Sequence, residues 1–587
     1  MKKTYKPTPH ANVNTNHISL VSDIKDLLTS RAKSASNKIA FRYRVSNNEI
    51  RDVTFVEFAA EVTELSRYLL QQGYENKHIA ILGNNSYQWL VAFFAITTIG
   101  NVAVALDNSL DENQALKYLE HSDSSAVFCC QELYKNLNIL LKDSDITVFN
   151  LNKISQLKSD CNKLSKNDSF GKFNKSQESS VLTNSLNNKS QESSVLTNNM
   201  NNKSQESSVL TNKMNNFYEL TSTINPEQPA AIFYTSGTSG DSKGVILTHK
   251  NIASNINANR EKYIAKGPTL SVLPYHHAYG LVVAILSVFI EEHTVFINGS
   301  LKLLLDDFKE ATPVVMAIVP LYLKYFKKRI LDGIKKQNAE RKFALGIKIS
   351  KFLLKFGIDI RRKIFKDIHA EFGGNLSEVI CGGAPNDDQM IEFFRNIGIT
   401  VLNGYGLTET SPVVSTEKID DTRISSCGTI LSCCRVRIAE DGEIFVSGDN
   451  VFVGYYKDEK LTREVLQNGE FATGDLGYLD QDGFLYITGR KKDLIILSNG
   501  ENVSPEEIEL KLGRFPGVAE VIVVAQNDKI VAHIFPEENY LNDYEYFKEL
   551  RKKYNSDANQ YRKIADIILR DEEFVKNSNR KILRHKI

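Results

Sequence analysis

Short apolar runs recur along the chain, bordered by glycine or asparagine. Ile79-Ala80-Ile81-Leu82 runs into Gly83, and Val102-Ala103-Val104-Ala105-Leu106 follows Gly100-Asn101. Runs of this length with such borders predict buried strands. Apolar positions at helical spacing lie between them, and the alternation predicts an α/β chain. The stretch from Trp89 to Leu106 carries no charge, but Thr97, Thr98, Gly100 and Asn101 interrupt it. A membrane span needs about 20 mostly apolar residues, so a buried helix followed by a strand is expected there.

A 14-residue unit beginning Asn-Lys-Ser-Gln-Glu-Ser-Ser-Val-Leu-Thr-Asn then occurs three times without a gap, at 174–187, 188–201 and 202–215. It is too polar and too short to bury a core. It reads as a disordered insertion in a surface loop, with a small solenoid as the alternative. After it the alternation resumes and continues to about Gly489. Beyond that lies a shorter mixture of strands and helices, and the joint falls at Gly489-Arg490-Lys491-Lys492-Asp493. Residues 1–489 and 490–587 are therefore expected to form a large and a small domain.

Length supports several domains, since 587 residues exceed one compact core. Lys and Arg total 72 against 71 Asp and Glu, so net charge gives no support to a nucleic-acid partner. Seven cysteines include the pairs Cys129-Cys130 and Cys433-Cys434 but no Cys-x-x-Cys spacing. That usage fits reduced thiols in a cytoplasmic protein. No apolar segment backs the charges of Met1-Lys2-Lys3, so a signal peptide is not expected.

The chemistry concentrates in one loop, Thr235-Ser236-Gly237-Thr238-Ser239-Gly240-Asp241-Ser242-Lys243-Gly244. It follows the strand-like Ala230-Ala231-Ile232-Phe233-Tyr234, and Val245-Ile246-Leu247 resumes directly after it. Glycines bring backbone N–H groups close to a ligand, hydroxyls add donors, and Lys243 adds a mobile positive charge. The set suits a polyphosphate. It is not a P-loop, because Gly244 follows Lys243 where that motif requires Ser or Thr.

Other loops at strand ends carry further candidates. Gly382-Gly383-Ala384-Pro385 follows Glu378-Val379-Ile380-Cys381. Asn403-Gly404-Tyr405-Gly406-Leu407-Thr408-Glu409-Thr410 follows Ile399-Thr400-Val401-Leu402. Thr473-Gly474-Asp475 precedes Gly489-Arg490, and Asp482-Gly483 between them reads as a hairpin turn. Ser504-Pro505-Glu506-Glu507 reads as an N-capped helix start.

In this order the motifs resemble the adenylate-forming superfamily of acyl-CoA synthetases, aryl-CoA ligases, luciferases and peptide-synthetase adenylation domains. Its phosphate-binding signature is (S/T)SG(S/T)TGxPKG, from which Ser239 and Asp241-Ser242 depart. The resemblance implies that Thr235, Ser236, Gly237, Thr238, Ser239, Gly240 and Lys243 hold the phosphates of ATP. It lays Gly382, Gly383 and Ala384 along the adenine and stacks Tyr405 on it. It gives Thr408 the α-phosphate, Glu409 a magnesium ion, and Asp475 with Arg490 the ribose hydroxyls. His277, in Leu273-Pro274-Tyr275-His276-His277-Ala278-Tyr279-Gly280, and Gly404 fall beside the acyl pocket. Lys492 falls on the hinge. Lys581, in Lys576-Asn577-Ser578-Asn579-Arg580-Lys581-Ile582-Leu583-Arg584, falls on the catalytic lysine, with Arg580 where glycine is commonest.

The implied fold is a large N-terminal domain of α/β subdomains with a distorted β-barrel portion, plus a small mobile α+β C-terminal domain. The implied reaction joins a carboxylic acid to AMP and then to a thiol. Coenzyme A is the first choice of acceptor and an acyl carrier protein the second. Six residues follow Lys581, leaving no carrier segment after it. A stand-alone adenylation enzyme for an aryl or amino acid, and a catalytically silent nucleotide-binding protein, are the alternatives. Residues 321–366 are rich in Leu, Ile, Phe, Lys and Arg against only Asp332, Glu340 and Asp359. With Arg361-Arg362-Lys363 and Gly373-Gly374-Asn375-Leu376 they resemble bacterial long-chain fatty acyl-CoA synthetases. A fatty acid is the expected acid. Helices resting on an anionic membrane surface are one expectation for this region, and a solvated face is the other.

Overall fold

The computed structural model describes residues 19–156, 223–236, 242–263, 265–497, 501–527, 529–576, 582–584 and 587. The repeats at 174–215, Gly237, Thr238, Ser239, Gly240, residues 498–500, Arg580 and Lys581 lie outside them.

Strands β1 (Ile39–Ser46) and β2 (Glu49–Thr54) form an antiparallel hairpin. Then come β3 (His78–Leu82), α1 (Tyr87–Thr97), β4 (Val102–Leu106), α2 (Glu112–His121), β5 (Ser124–Cys129) and β6 (Thr147–Asn150). The uncharged stretch is thus α1 followed by β4, as its pattern predicts. Helix starts follow local chemistry. The Ser86 hydroxyl accepts from Trp89 N–H at α1, and Asp111 with Gln114 closes a capping box at α2.

Strands β7 (Pro229–Ser236) and β8 (Ser242–Thr248) pair around the glycine-rich loop, and α3 (His249–Lys262) follows. Next are β9 (Thr269–Ser271), β10 (Val295–Ile297), β11 (Val315–Ile318), α4 (Pro320–Lys336) and α5 (Glu340–Leu354). Then come β12 (Glu378–Cys381), α6 (Asp388–Asn396), β13 (Thr400–Tyr405), β14 (Ser415–Thr416) and β15 (Thr429–Ile430). After them run β16 (Cys434–Ile438), β17 (Glu443–Gly448), β18 (Gly454–Tyr455), β19 (Leu466–Gln467), β20 (Glu470–Leu479) and β21 (Leu485–Arg490).

One sheet has the order β18-β8-β7-β4-β3-β5-β6, and a second the order β15-β14-β13-β12-β11-β9-β10-β1-β2. Both are parallel at their centres. A shared core joins them: Ile79 and Ile81 of one sheet, Phe41 and Val295 of the other, and Trp89, Phe93 and Phe94 of α1. The outer face of the second sheet packs Met316, Ile318 and Val401 against Leu323, Phe326 and Ile330 of α4 and Phe394 of α6. Strands β16, β17, β19, β20 and β21 make an antiparallel sheet, the portion in which a distorted barrel is expected. Asp482-Gly483 does turn β20 into β21.

The remainder has its own core. Its elements are β22 (Ile495–Ile496), β23 (Asn502–Val503), α7 (Pro505–Leu512), β24 (Val518–Gln526), β25 (Lys529–Pro536), α8 (Tyr544–Asp557) and β26 (Asp566–Leu569). Ile508, Leu512, Val523, Ile534, Phe547 and Leu550 pack there. Ser504 stands at the N-cap of α7 with Pro505 next, but its hydroxyl makes no cap bond. It donates to Glu506 Oε2 at 3.1 Å instead, so the expected side-chain cap is corrected. The six described cysteines are free thiols. Among the described residues no helix is long and apolar enough to cross a membrane.

Candidate active site

A cavity of about 1000 Å³ opens where β7, β12 and β13 end, against β20 and β21. Ligands collect at such strand ends because loops there expose backbone donors while the sheet stays rigid. Thr235, Lys243, His277, Gly382, Gly383, Ala384, Gly404, Tyr405, Thr408, Glu409, Arg490 and Lys492 all line it. Motifs scattered over more than 250 residues of sequence therefore converge on one space. Ser236 ends β7, beside the described part of the loop.

Lys243 is the second residue of β8, with Nζ 5.3 Å from the centre of the Tyr455 ring. The Tyr455 hydroxyl donates to Glu409 Oε1 at 2.8 Å. Burial raises the pKa of Glu409 above the usual carboxylate value, opposed by that hydrogen bond and by the charges of Lys243 and Arg490. The turn carrying Thr408 and Glu409 is fixed from behind. Asn255 and Asn450, both buried, donate side-chain amides to the carbonyls of Thr410 and Val413. Gly406 is required here, since a Cβ would stand 1.9 Å from the Pro412 carbonyl oxygen.

Asp475 sits just behind the cavity wall. It is buried, and the cavity wall is formed by its neighbours Thr473 and Gly474. Its Oδ2 accepts from the Tyr405 hydroxyl at 2.8 Å, and its Oδ1 meets Arg490 Nε at 2.9 Å. The carboxylate thus holds the Tyr405 ring and Arg490 in place, while each oxygen keeps a further lone pair for a ligand hydroxyl. Lys492 sits where burial and the adjacent Arg490 pull its pKa below the ordinary lysine value.

The cavity has an apolar arm. Val283, Ala284 and Val288 face Val315 and Ala317 there. Tyr279–Leu286 form a wide π-type helical turn along this arm. His277 lines the cavity, its ring 4.3 Å from that of His276. Burial pulls the pKa of His276 down to about 4, against Asp107 at 3.6 Å, so His276 is neutral near pH 7. Arg260, paired with Glu291, and Tyr263, which donates to Glu378 at 2.6 Å, also line the cavity.

Sequence reasoning missed Tyr455 and gave no role to Thr473 and Lys491 within their motifs, and all three line the same wall. Lys491 bridges Asp441 and Glu443, each at 2.7 Å. Lys491 stood next to a named hinge residue, but a single tyrosine in β18 carries no motif.

Residues 28–456 match the model of the AMP-binding enzyme family. The long-chain-fatty-acid–CoA ligase FadD15 of Mycobacterium bovis is 28% identical over 492 residues, 81% of this chain and 75% of the relative. The 2-succinylbenzoate–CoA ligase of Listeria monocytogenes is 31% identical over 389 residues, 63% of this chain and 72% of the relative. An anthranilate CoA ligase solved with anthranoyl-AMP superposes with a TM-score of 0.72 at 16% identity, covering 98% of both chains. The o-succinylbenzoate CoA synthetase of Bacillus subtilis, solved with its acyl-adenylate, gives 0.67 at 22% identity, covering 95% and 97%. At these identities the solved structures speak to the fold. The family match covers most of the chain, from residue 28 to residue 456: the chain belongs to the AMP-binding enzyme family.

Proposed function

We propose that the chain is an ATP-dependent acid–thiol ligase. It adenylates a carboxylic acid, transfers the acyl group to coenzyme A, and releases AMP and pyrophosphate. A fatty acid is the proposed acid. The observation that carries this reading is one cavity with two kinds of wall: Lys243, Thr408, Glu409, Arg490 and Lys492 on one side, and an apolar arm on the other. CoA ligases for long-chain fatty acids and for 2-succinylbenzoate among the relatives support the reaction class.

In the first half-reaction a carboxylate oxygen attacks the α-phosphorus of ATP, and the bond to the bridging oxygen of pyrophosphate breaks. The nucleophile and the triphosphate are both anionic, so positive charge must offset their repulsion. Lys243 supplies it beside the phosphates, and we assign Lys581 the same task at the reacting oxygens. Thr408 donates a hydroxyl to the α-phosphate. Tyr405, held by Asp475, lies against the adenine beside Gly382, Gly383 and Ala384, and Asp475 and Arg490 take the ribose hydroxyls. The donor set fits magnesium, because a cation bridging phosphates needs one or two carboxylates plus water, and Glu409 reaches the cavity. When bound there, magnesium supplies a hard positive charge at the phosphates.

In the second half-reaction the thiol sulfur attacks the acyl carbonyl carbon and AMP leaves with the bridging oxygen. We place the domain boundary at 489/490, with Lys492 as the pivot that exchanges the lysine face of the small domain for its thiol-side face. An aryl acid is the second reading of the substrate, favoured by the 2-succinylbenzoate ligases among the relatives. An acyl carrier protein as acceptor, and membrane contact by residues 321–366, extend the proposal.

Pyrophosphate exchange with graded fatty acids, 2-succinylbenzoate and amino acids tests it. Exchange should depend on a fatty acid, and AMP release should rise with coenzyme A. Exchange with aryl acids alone would move the substrate to the second reading, and exchange with none would contradict the ligase.

A further inference from the structure

One strand runs the length of the apolar arm and gives its depth. In β11 and the residue after it, Val315, Ala317 and Val319 line the cavity, while Met316 and Ile318 pack on the outer layer. Successive residues of a strand point to opposite faces, so these three mark successive depths along one face. Val319 marks the shallow end, beside the glycine turn, where a Cβ on Gly383 would stand 3.5 Å from its Cγ1. Ala317 marks the middle, in register with Ile380 of β12. Val315 marks the deep end, in register with Thr269 of β9 and Glu378 of β12. The path from Val319 to Val315 is about 13 Å at the rise of a strand.

The deep end is closed by side chains that the protein itself ties down. Tyr263, the residue after α3, lines the cavity, and its hydroxyl donates to Glu378 Oε2 at 2.6 Å. Glu378 is 1% exposed, and its Oε1 lies 3.5 Å from Lys266 Nζ. The Tyr263 N–H donates to the Asn259 carbonyl at 2.8 Å, which fixes the ring from its backbone as well. Arg260 pairs with Glu291, and the Asn259 amide donates to Asn255 Oδ1 at 2.9 Å. On the opposite wall the Ser287 hydroxyl donates to the Val282 carbonyl at 3.0 Å. Asn259, Arg260, Tyr263 and Ser287 all line the cavity, so its apolar wall gives way to polar groups already bonded within the protein. A methylene pushed among them would break those bonds and offer none in return.

We infer that Tyr263, fixed by Glu378, is the stop of the acyl arm, and that the acid is a medium-chain fatty acid. The inference rests on the ligase reading, with the acyl chain in this arm and its carboxyl group at the Val319 end. A decanoyl chain drawn out straight is about as long as the strand path beside it. A palmitoyl chain is longer and would have to displace the Tyr263 ring. Depth is thus set by one aromatic side chain at the mouth of α3, and width by the small Ala317 halfway along.

The test is pyrophosphate exchange by the full chain with straight-chain acids from butyrate to palmitate, read as ratios of kcat/KM within each protein. Such ratios do not depend on the fraction of a variant that folds. The wild type should use decanoate best and palmitate at least about tenfold less well. Tyr263→Ala should raise the palmitate-to-decanoate ratio at least about tenfold, while Tyr263→Phe, which keeps the ring, should keep the preference for decanoate. Ala317→Leu should act in the other direction and lower the decanoate-to-butyrate ratio about tenfold. A wild type that prefers palmitate, or ratios unchanged in Tyr263→Ala and Ala317→Leu, would overturn the inference and leave the ligase reading standing. Exchange with none of these acids would overturn the fatty-acid reading and this inference with it.

Discussion

Glu409 shows how far a single residue could be read from sequence. Its motif and its cavity position were legible, because the flanking Tyr405-Gly406-Leu407-Thr408 is distinctive. Its partner Tyr455 was not, since the hydrogen bond joins residues 46 positions apart in chain sequence. Burial raises the carboxyl pKa, so acidification protonates Glu409 at a higher pH than an ordinary glutamate. The acid limb of kcat/KM for adenylation should therefore lie above the usual carboxylate range. Tyr455→Phe removes a donor to the charged form and should move that limb higher still. Glu409→Gln should slow adenylation on the order of 10²-fold and abolish the limb. A limb unchanged in Glu409→Gln would assign it to another group. Ser242 gives a second residue-scale prediction. It stands where the family signature has proline, and the Tyr118 hydroxyl bonds its Oγ at 2.7 Å. Tyr118 thus holds the foot of the glycine-rich loop from α2. Tyr118→Phe should raise the KM for ATP severalfold, the worth of about 1 kcal/mol for one hydrogen bond, with the KM for the acid unchanged. Adding Ser242→Ala should cost nothing further.

Elements were legible where periodicity and borders agreed. β3, β4, β7, β8, β12 and β13 all sit where short apolar runs placed them. The π-type turn Tyr279–Leu286 was not legible, because its residues are apolar on every side and define no face. Its start depends on Gly280, where a Cβ would stand 2.1 Å from the Pro274 carbonyl oxygen. Gly280→Ala should therefore distort the turn, lower the melting temperature and impair acid binding before ATP binding, read by calorimetry and by the two KM values. The cap of α7 failed for a different reason: a nearby carboxylate competes for the Ser504 hydroxyl, and sequence spacing does not rank such competitors. Deleting residues 174–215 should leave pyrophosphate exchange intact, because the unit is too polar to contribute to a core. An inactive but folded deletion variant would contradict that.

At the scale of the molecule, a boundary after Gly489 was expected from the change in pattern, and Ile508, Leu512 and Phe547 share a hydrophobic cluster in the C-terminal part. How that part touches the rest was not legible. Arg514 pairs with Asp387 at 2.8 Å, just beyond the Gly382–Pro385 turn, and Lys324 of α4 donates to the Ala519 carbonyl at 2.9 Å. Such contacts join residues far apart in the chain and leave no local trace. Both are polar, which suits a part that changes orientation. Under the proposed division of labour, Lys581→Ala should abolish adenylate formation while sparing thioester formation from supplied acyl-adenylate. Equal loss of both halves would refute it. The central claim is that a carboxylate oxygen becomes bonded to the α-phosphorus of ATP. Incubating the protein with ATP, coenzyme A and a fatty acid labelled with oxygen-18 in its carboxylate reads this directly by mass spectrometry of the nucleotide product. The account predicts AMP carrying one labelled oxygen; unlabelled AMP, or ADP in its place, would contradict it.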